Sequence, residues 1–415
     1  MDGARVDRDV PRRQIAASRH AQTRDRVVER WLELGYAKDT IEGYLQWVAR
    51  YRRWSRERGF DEVEHLTRRS VDRFARTYAR AMKIDVRGTV LGARPAIHTW
   101  ARTLAAFGFQ VPGWVPPPKM GPFDQLLAEY RAFRRRWRGV MESSLRSECD
   151  AIIRFLKWMR RRNQPLRSIT HRHIDRFVLE LSLKLAVKTV AGICSALRSF
   201  LRFLHATGAT PKEMASYVPV PRIRRGAQPP QVLPWRDICR LLRGIDRRTA
   251  IGKRDYAALL MMAAYGMGAG EALSLQLDDV DWRAGSLRIQ RPKTGVQVLL
   301  PLLGPVGRAL ASYLRHGRPR ATKTRTLFVR ARAPHPPLAV RELGKRLLAY
   351  ARSAGVSAPR LGTHMFRRCH ATREIEMAAP AKVVSDILGH DDPRSLSVYA
   401  RVATERLREV CLPLP

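Results

Sequence analysis

Tyr51-Arg-Arg-Trp54, followed by Leu66-Thr67 twelve residues after the tryptophan and then by Val71-Asp-Arg-Phe74, returns later in the same chain. The second version reads Phe155-Leu-Lys-Trp158, then Ile169-Thr170 eleven residues on, then Ile174-Asp-Arg-Phe177. A one-residue gap reconciles the two stretches, which favours a duplicated helical module over two unrelated four-helix bundles. Its periodicity is helical: Ile152, Phe155, Leu156 and Met159 share one stripe, with Arg154, Lys157 and Arg160 to Arg162 outside it. Thr67 and Thr170 stand where a side-chain oxygen caps short helices carrying Val71, Phe74 and Ile174, Phe177. Each copy closes on a further apolar helix, Ile97 to Phe109 and Val190 to Leu204.

Two proline-rich breaks frame the second copy. Val111 to Lys119 contains Pro116-Pro117-Pro118, which removes donors and fixes φ, and Val218 to Pro230 is both proline-rich and basic. They divide the chain into an N-terminal helical DNA-binding module (1–118), a second helical module (119–217), a basic linker (218–232) and a C-terminal domain (233–415). The linker reads equally as a spacer or as an extended Arg-bearing segment that lies along a phosphate backbone. In the C-terminal domain Trp235 to Leu242 and Tyr256 to Met267 read as helices. Ser286 to Pro301 reads as two short strands around Lys293-Thr-Gly295, and helices resume from Val306. The expected fold is therefore mainly α with a small antiparallel β-sheet.

Charge limits the choice of partner. Lys and Arg number 78 against 37 Asp and Glu, a net charge of +41, and this surplus repels itself unless a polyanion neutralises it. Most of the basic residues are arginine, which grips phosphate bidentately, so double-stranded nucleic acid is favoured over an anionic membrane. The longest apolar run, Tyr256 to Tyr265, is too short for the roughly 20 residues of a membrane helix. Met1 to Asp25 lacks the apolar core of a signal peptide. Five scattered cysteines without a CxxC pair point to a reducing cytoplasm and to neither zinc nor another cofactor.

Three spaced signals in the C-terminal domain carry chemistry. In Gly362-Thr363-His364-Met-Phe-Arg367 the threonine reads as an N-cap, and the i, i+3 spacing puts an imidazole and a guanidinium on one helical face. Leu388-Gly389-His390 closes an apolar helix that starts near Pro380, with Gly389 at the left-handed position that places His390 just past its end. Tyr399 follows nine residues later, on a short helix opened by Asp392-Pro393. Singly these are a chance HxxR, a loop histidine and a core tyrosine; their joint spacing is specific.

Together they resemble the tyrosine recombinase (phage integrase) family over roughly Pro234 to Val402, with the helical modules before it similar to the family's core-binding domain. The resemblance implies a metal-free reaction in which the Tyr399 phenolate attacks a DNA phosphodiester, forming a 3′-phosphotyrosyl link and releasing a 5′-hydroxyl. It assigns His364 and Arg367 to the HxxR pair, His390 to the LGH motif and Lys293 to the β-hairpin lysine that protonates the leaving oxygen. His364 can take the proton from Tyr399, and Arg367, His364 and His390 offset the charge that builds on the phosphate. It further implies homo-oligomers or related recombinase protomers on DNA.

Two departures stand out. Arg368 occupies a position where many members have histidine, and Tyr265-Gly-Met-Gly268-Ala-Gly-Glu271 has glycine where the family has its first arginine. Gly268 leaves three accounts open: impaired or lost activity, substitution by another arginine such as Arg254 or Arg291, or completion by a partner protomer. The expected function is a site-specific recombinase or integrase of a mobile element or plasmid. The alternatives are a catalytically silent accessory protein with the same DNA clamp, and a type IB topoisomerase, whose motif spacings fit less well.

Overall fold

The computed structural model describes residues 23–61, 63–115, 121–221, 232–291, 295–358 and 361–389. Over these the chain divides into two compact units, one within Pro116–Ala227 and the other within Met1–Val115 together with Gln228–Pro415. It is mainly helical with one small antiparallel sheet.

The duplication is structural. The first copy follows a helix at 23–33 (α1) and consists of α2 (Lys38–Arg56), α3 (Arg68–Ala81) and α4 (Val86–Ala106). The second follows α5 (Asp124–Arg138) and consists of α6 (Glu142–Arg160), α7 (His171–Ser182) and α8 (Val187–Ala206). Helices α2 and α6 both have 19 residues and bury equivalent stripes, Ile41, Val48, Tyr51 and Trp54 against Leu145, Ile152, Phe155 and Trp158. Tyr51 stacks on Trp54 with centroids 5.9 Å apart, as Phe155 does on Trp158 at 6.3 Å. Phe74 meets Trp54 edge-on at 5.8 Å, and Phe177 meets Trp158 edge-on at 5.7 Å. The guanidinium of Arg58 lies over Trp54 and that of Arg162 over Trp158, at 4.8 and 4.0 Å. The turn after each first helix passes through a left-handed residue, Gly59 and Asn163, and each third helix is followed by one, Gly108 and Gly208.

Caps set the boundaries. Thr67 Oγ1 accepts from the Ser70 amide at 3.2 Å, and the Thr170 amide donates to His173 Nδ1 at 3.3 Å. Helix α4 begins at Val86, well before Ile97, because the Asp85 carboxylate caps it, and it carries Pro95 inside. Most of the basic linker falls at 222–231, outside the described residues.

The C-terminal part is built around α10 (Ala250–Tyr265), which is packed by α9 (Trp235–Arg243), α12 (Gly304–His316) and α14 (His364–Glu376). With Ala257, Ala258, Leu259, Met261 and Met262 fully buried, and a narrow stripe of Lys253, Tyr256, Leu260 and Ala264 partly exposed, the helix sits near the centre of this part. It starts earlier than Tyr256 because Thr249 Oγ1 accepts from the Gly252 amide at 3.0 Å. After the short α11 (Ala269–Ser274), three antiparallel strands follow in order: β1 (Val280–Asp281), β2 (Ser286–Gln290) and β3 (Gln297–Pro301). The expected hairpin pairs Ser286 with Pro301 through Gln290 with Gln297; the two-residue β1 was not foreseen, since it is too short for alternation to register. Helices α13 (Val340–Ser353) and α15 (Ala381–Leu388) complete the described chain. No described helix is long and apolar enough to cross a membrane.

Equivalent aromatic wedges should have equivalent value. Phe74→Ala and Phe177→Ala should each destabilise their own copy by about 3–5 kcal/mol, read as a lowered urea midpoint in the fluorescence of the adjoining Trp54 or Trp158.

Candidate functional site

Helix α10 ends at Gly266, whose left-handed backbone (φ +60°) turns the chain into α11. A Cβ there would stand 2.6 Å from both His370 and Leu388, so only glycine lets α14 and α15 close on this turn. Two residues on, Gly268 is the N-cap of α11, and its amide donates to Glu271 Oε2 at 2.8 Å. The reciprocal glutamate of a capping box thus pins the start of a six-residue helix. Gly268 itself is unstrained at φ −71°, and a Cβ would meet only the Glu271 carboxylate, at 3.7 Å.

Glu271 Oε2 is also the meeting point of two guanidiniums. Arg291 donates to it through Nη1, and Arg367 approaches through Nη1 at 3.5 Å while also donating to Gly266 O at 3.3 Å. Their other Nη2 atoms reach the last carbonyls of α15: Arg291 donates to Ile387 O and Arg367 to Leu388 O. Cations at a helix C-terminus satisfy carbonyls that lack an intrahelical partner and oppose the negative end of the dipole. Gly389 then ends the helix in the left-handed conformation, φ 62°, as its sequence position requires. The end of α15 is therefore held by two arginines from two different elements.

Arg291 is 1% exposed. Burial pulls its pKa below the usual guanidinium range; Glu271 opposes this and the neighbouring Arg367 charge adds to it. Both its terminal nitrogens are spent on protein acceptors, and its Nε has no hydrogen-bond partner among the described residues. It follows β2 directly, and its amide donates to Val296 O at 2.9 Å across the hairpin.

The other candidate, Arg254, is placed elsewhere. It donates to Asp255 Oδ1 at 2.8 Å and to Val329 O at 3.1 Å, in a buried network where Asp255 also accepts from Tyr350 Oη and from Arg346. Burial, with the Asp255 charge beside it, pushes the Tyr350 phenol up to about 12. This is an ion network of the core, remote in its bonding from Glu271.

Of the residues singled out in the sequence, the structure brings together Gly268, Glu271 and Arg367, with His364 exposed at the first position of α14, three residues before Arg367. Lys293, His390 and Tyr399 lie outside the described residues, as does Asp392-Pro393. Thr363 is the N-cap residue by position, but its backbone is helical (φ −57°, ψ −28°) and its side chain makes no capping bond. A cap needs the extended conformation to aim its oxygen at the N2 and N3 amides, so the expected cap is corrected. His370, on α14, was missed. It is buried against Gly266, with Nδ1 3.1 Å from Ala263 O and Nε2 without a partner among the described residues.

Comparison with known proteins gives consistent matches. The phage integrase family model matches residues 231–406, and the model of the phage integrase N-terminal SAM-like domain matches 127–208. The Sinorhizobium fredii protein named "Putative integrase/recombinase y4rF" is 32% identical over 402 residues, covering 94% of this chain and 90% of its own. Among solved structures, the post-cleavage complex of the XerH site-specific recombinase with a palindromic difH substrate aligns with a TM-score of 0.56 at 18% identity, covering 68% of this chain and 83% of that one. A lambda integrase tetramer bound to a Holliday junction gives a TM-score of 0.53 at 17% identity, covering 74% and 86%.

Two outcomes follow from the charges. Glu271→Gln leaves the buried Arg291 and the partly buried Arg367 without their shared anion and should cost about 3–5 kcal/mol of stability, measured by urea denaturation. For His370, burial holds the pKa below the ordinary histidine value. The unfolded chain then binds the proton more readily, so this contribution to stability is whole above the ordinary pKa of about 6.5 and is lost as pH falls below it. His370→Gln should flatten the fall of the unfolding midpoint between neutral and mildly acidic pH.

Proposed function

The chain belongs to the tyrosine recombinase (phage integrase) family, and from this we propose that it is a site-specific recombinase of duplex DNA, carried by a mobile element or plasmid, whose strand cleavage is assembled but slowed. Tyr399 attacks the scissile phosphorus; the new O–P bond forms as the bond to the 5′ oxygen breaks, and Lys293 donates the proton that this oxygen needs. His364 accepts the phenolic proton. Arg367, with His364 and His390, offsets the charge on the non-bridging oxygens. The duplex partner and a multi-protomer assembly agree with the net charge of +41 and with the DNA-bound and tetrameric states named for the structural relatives.

One observation carries the reading: Arg291 and Arg367 share Glu271 and together grip the carbonyls that precede Gly389 and His390. Arg291 thus takes over the internal part of the missing arginine's work, holding Glu271 and the α15 turn. It does not take over the external part, because a side chain that is 1% exposed is closed to a phosphate from outside. The site is built around one phosphate-binding guanidinium instead of two, and losing a transition-state donor costs about 10²–10³ in rate. The alternative, a silent accessory protein, is favoured only by Gly268 and makes no covalent bond.

A nicked suicide substrate bearing the recombination site separates the two. Slow accumulation of a covalent protein–DNA adduct is expected, absent in Tyr399→Phe and faster by about 10²–10³ in Gly268→Arg, for which the backbone has room. No adduct in the Gly268→Arg protein would sink the enzyme reading.

A further inference from the structure

We propose that His370 is a positioning residue for the cleavage step: its buried ring sets the two carbonyls that aim the Arg367 guanidinium. This rests on the reading above, in which Arg367 is the guanidinium left to bind the phosphate. A lone donor has no second arginine to share its alignment, so whatever fixes its direction bears on the rate.

Arg367 has three acceptors. Besides the shared Glu271, Nη1 donates to Gly266 O at 3.3 Å and Nη2 donates to Leu388 O. These two carbonyls belong to different elements, the turn after α10 and the end of α15. The side chain packed where they meet is His370, three residues on from Arg367 along α14. A Cβ on Gly266 would stand 2.6 Å from His370 Cδ2 and 2.6 Å from Leu388 Cδ2, so imidazole, leucine and glycine close on one point.

The ring is anchored as well as packed. Nδ1 lies 3.1 Å from Ala263 O, and because a carbonyl only accepts, Nδ1 carries the hydrogen. Ala263 is in the last turn of α10, where carbonyls lack an intrahelical partner, so the imidazole caps that helix from α14. Nε2 is then a bare acceptor, buried and without a partner among the described residues. At 6% exposure the ring is closed to substrate, so its influence on a phosphate passes through Arg367.

Protonation would disturb this arrangement. Among the described residues the charges that face the ring, Glu374, Arg373 and Arg367, are all on α14; α10 presents the Ala263 carbonyl and α15 the apolar Leu388. Burial holds the imidazole below the usual histidine range, opposed by Glu374 and the Ala263 bond and aided by the two arginines. The ring is therefore neutral at neutral pH and charges only below about 6.5. Once charged, it holds a buried donor with no acceptor and places a cation beside Arg367.

Single-turnover formation of the Tyr399 adduct on the nicked duplex tests this, with duplex affinity and melting measured alongside. His370→Ala should slow the adduct by up to about 10²-fold, as misplacing a catalytic group does, at unchanged affinity. His370→Asn, which returns an N–H towards Ala263, should recover part of that rate. His370→Phe keeps a ring but cannot titrate, so its rate should fall less steeply than the parent's on the acid side. Parental rates in all three variants overturn the proposal. So does a loss that follows the unfolded fraction, with the parental pH profile in His370→Phe; the residue is then merely structural.

A second measurement needs no DNA. Urea midpoints of His370→Phe, Arg367→Gln and the double variant should depart from additivity if the ring sets the acceptors of Arg367, and additive losses overturn the proposal. Should the parent and Gly268→Arg proteins both form no adduct, the enzyme reading falls, and this cycle alone decides whether His370 sets Arg367.

Discussion

One carboxylate oxygen ties the C-terminal domain together. Glu271 Oε2 receives the Gly268 amide and the guanidiniums of Arg291 and Arg367, so α11, the end of β2 and α14 are referenced to a single atom. The same two arginines fix the end of α15. Buried charges are tolerated only when paired and hydrogen-bonded. Any shift of one element therefore leaves an uncompensated charge on another. The arrangement has two cations to one anion, and that excess favours a negatively charged group arriving from outside.

The duplicated half of the chain was legible because its physics is local. Aromatic residues at helical spacing, threonine caps and turn residues each act within a few positions, and the copies check one another: Trp54 and Trp158 make the same ring contacts and carry the same stacked arginine. The hairpin and the Gly389 turn were legible for the same reason. Thr363 was misread because a cap depends on backbone angles that residue type alone does not set, and the early start of α4 because Asp85 caps a helix whose apolar stripe begins only later.

Arg291 was the harder case. It entered the reading only as one of two spare arginines, and its pairing with Glu271 spans 20 positions of sequence. A local signal was nonetheless there. Leu287, Ile289 and Arg291 fall on alternate positions, and the first two are fully buried, so strand alternation carries the arginine inwards too. A charged residue on the inner face of a strand needs a buried partner, and Glu271 is the carboxylate that supplies it. Arg254 is just as buried, but its own partner, Asp255, is its sequence neighbour, which removes it from the site.

The two glycines of the α10–α11 turn have opposite evolutionary prospects. At Gly266 a side chain would collide with His370 and Leu388, so inheritance of glycine there is enforced by the packing itself. At Gly268 nothing but one carboxylate stands nearby, and the backbone suits any residue. Every glycine codon becomes an arginine codon by a change in its first base. An arginine at position 268 is thus a single nucleotide away, and the scaffold offers it no steric obstacle.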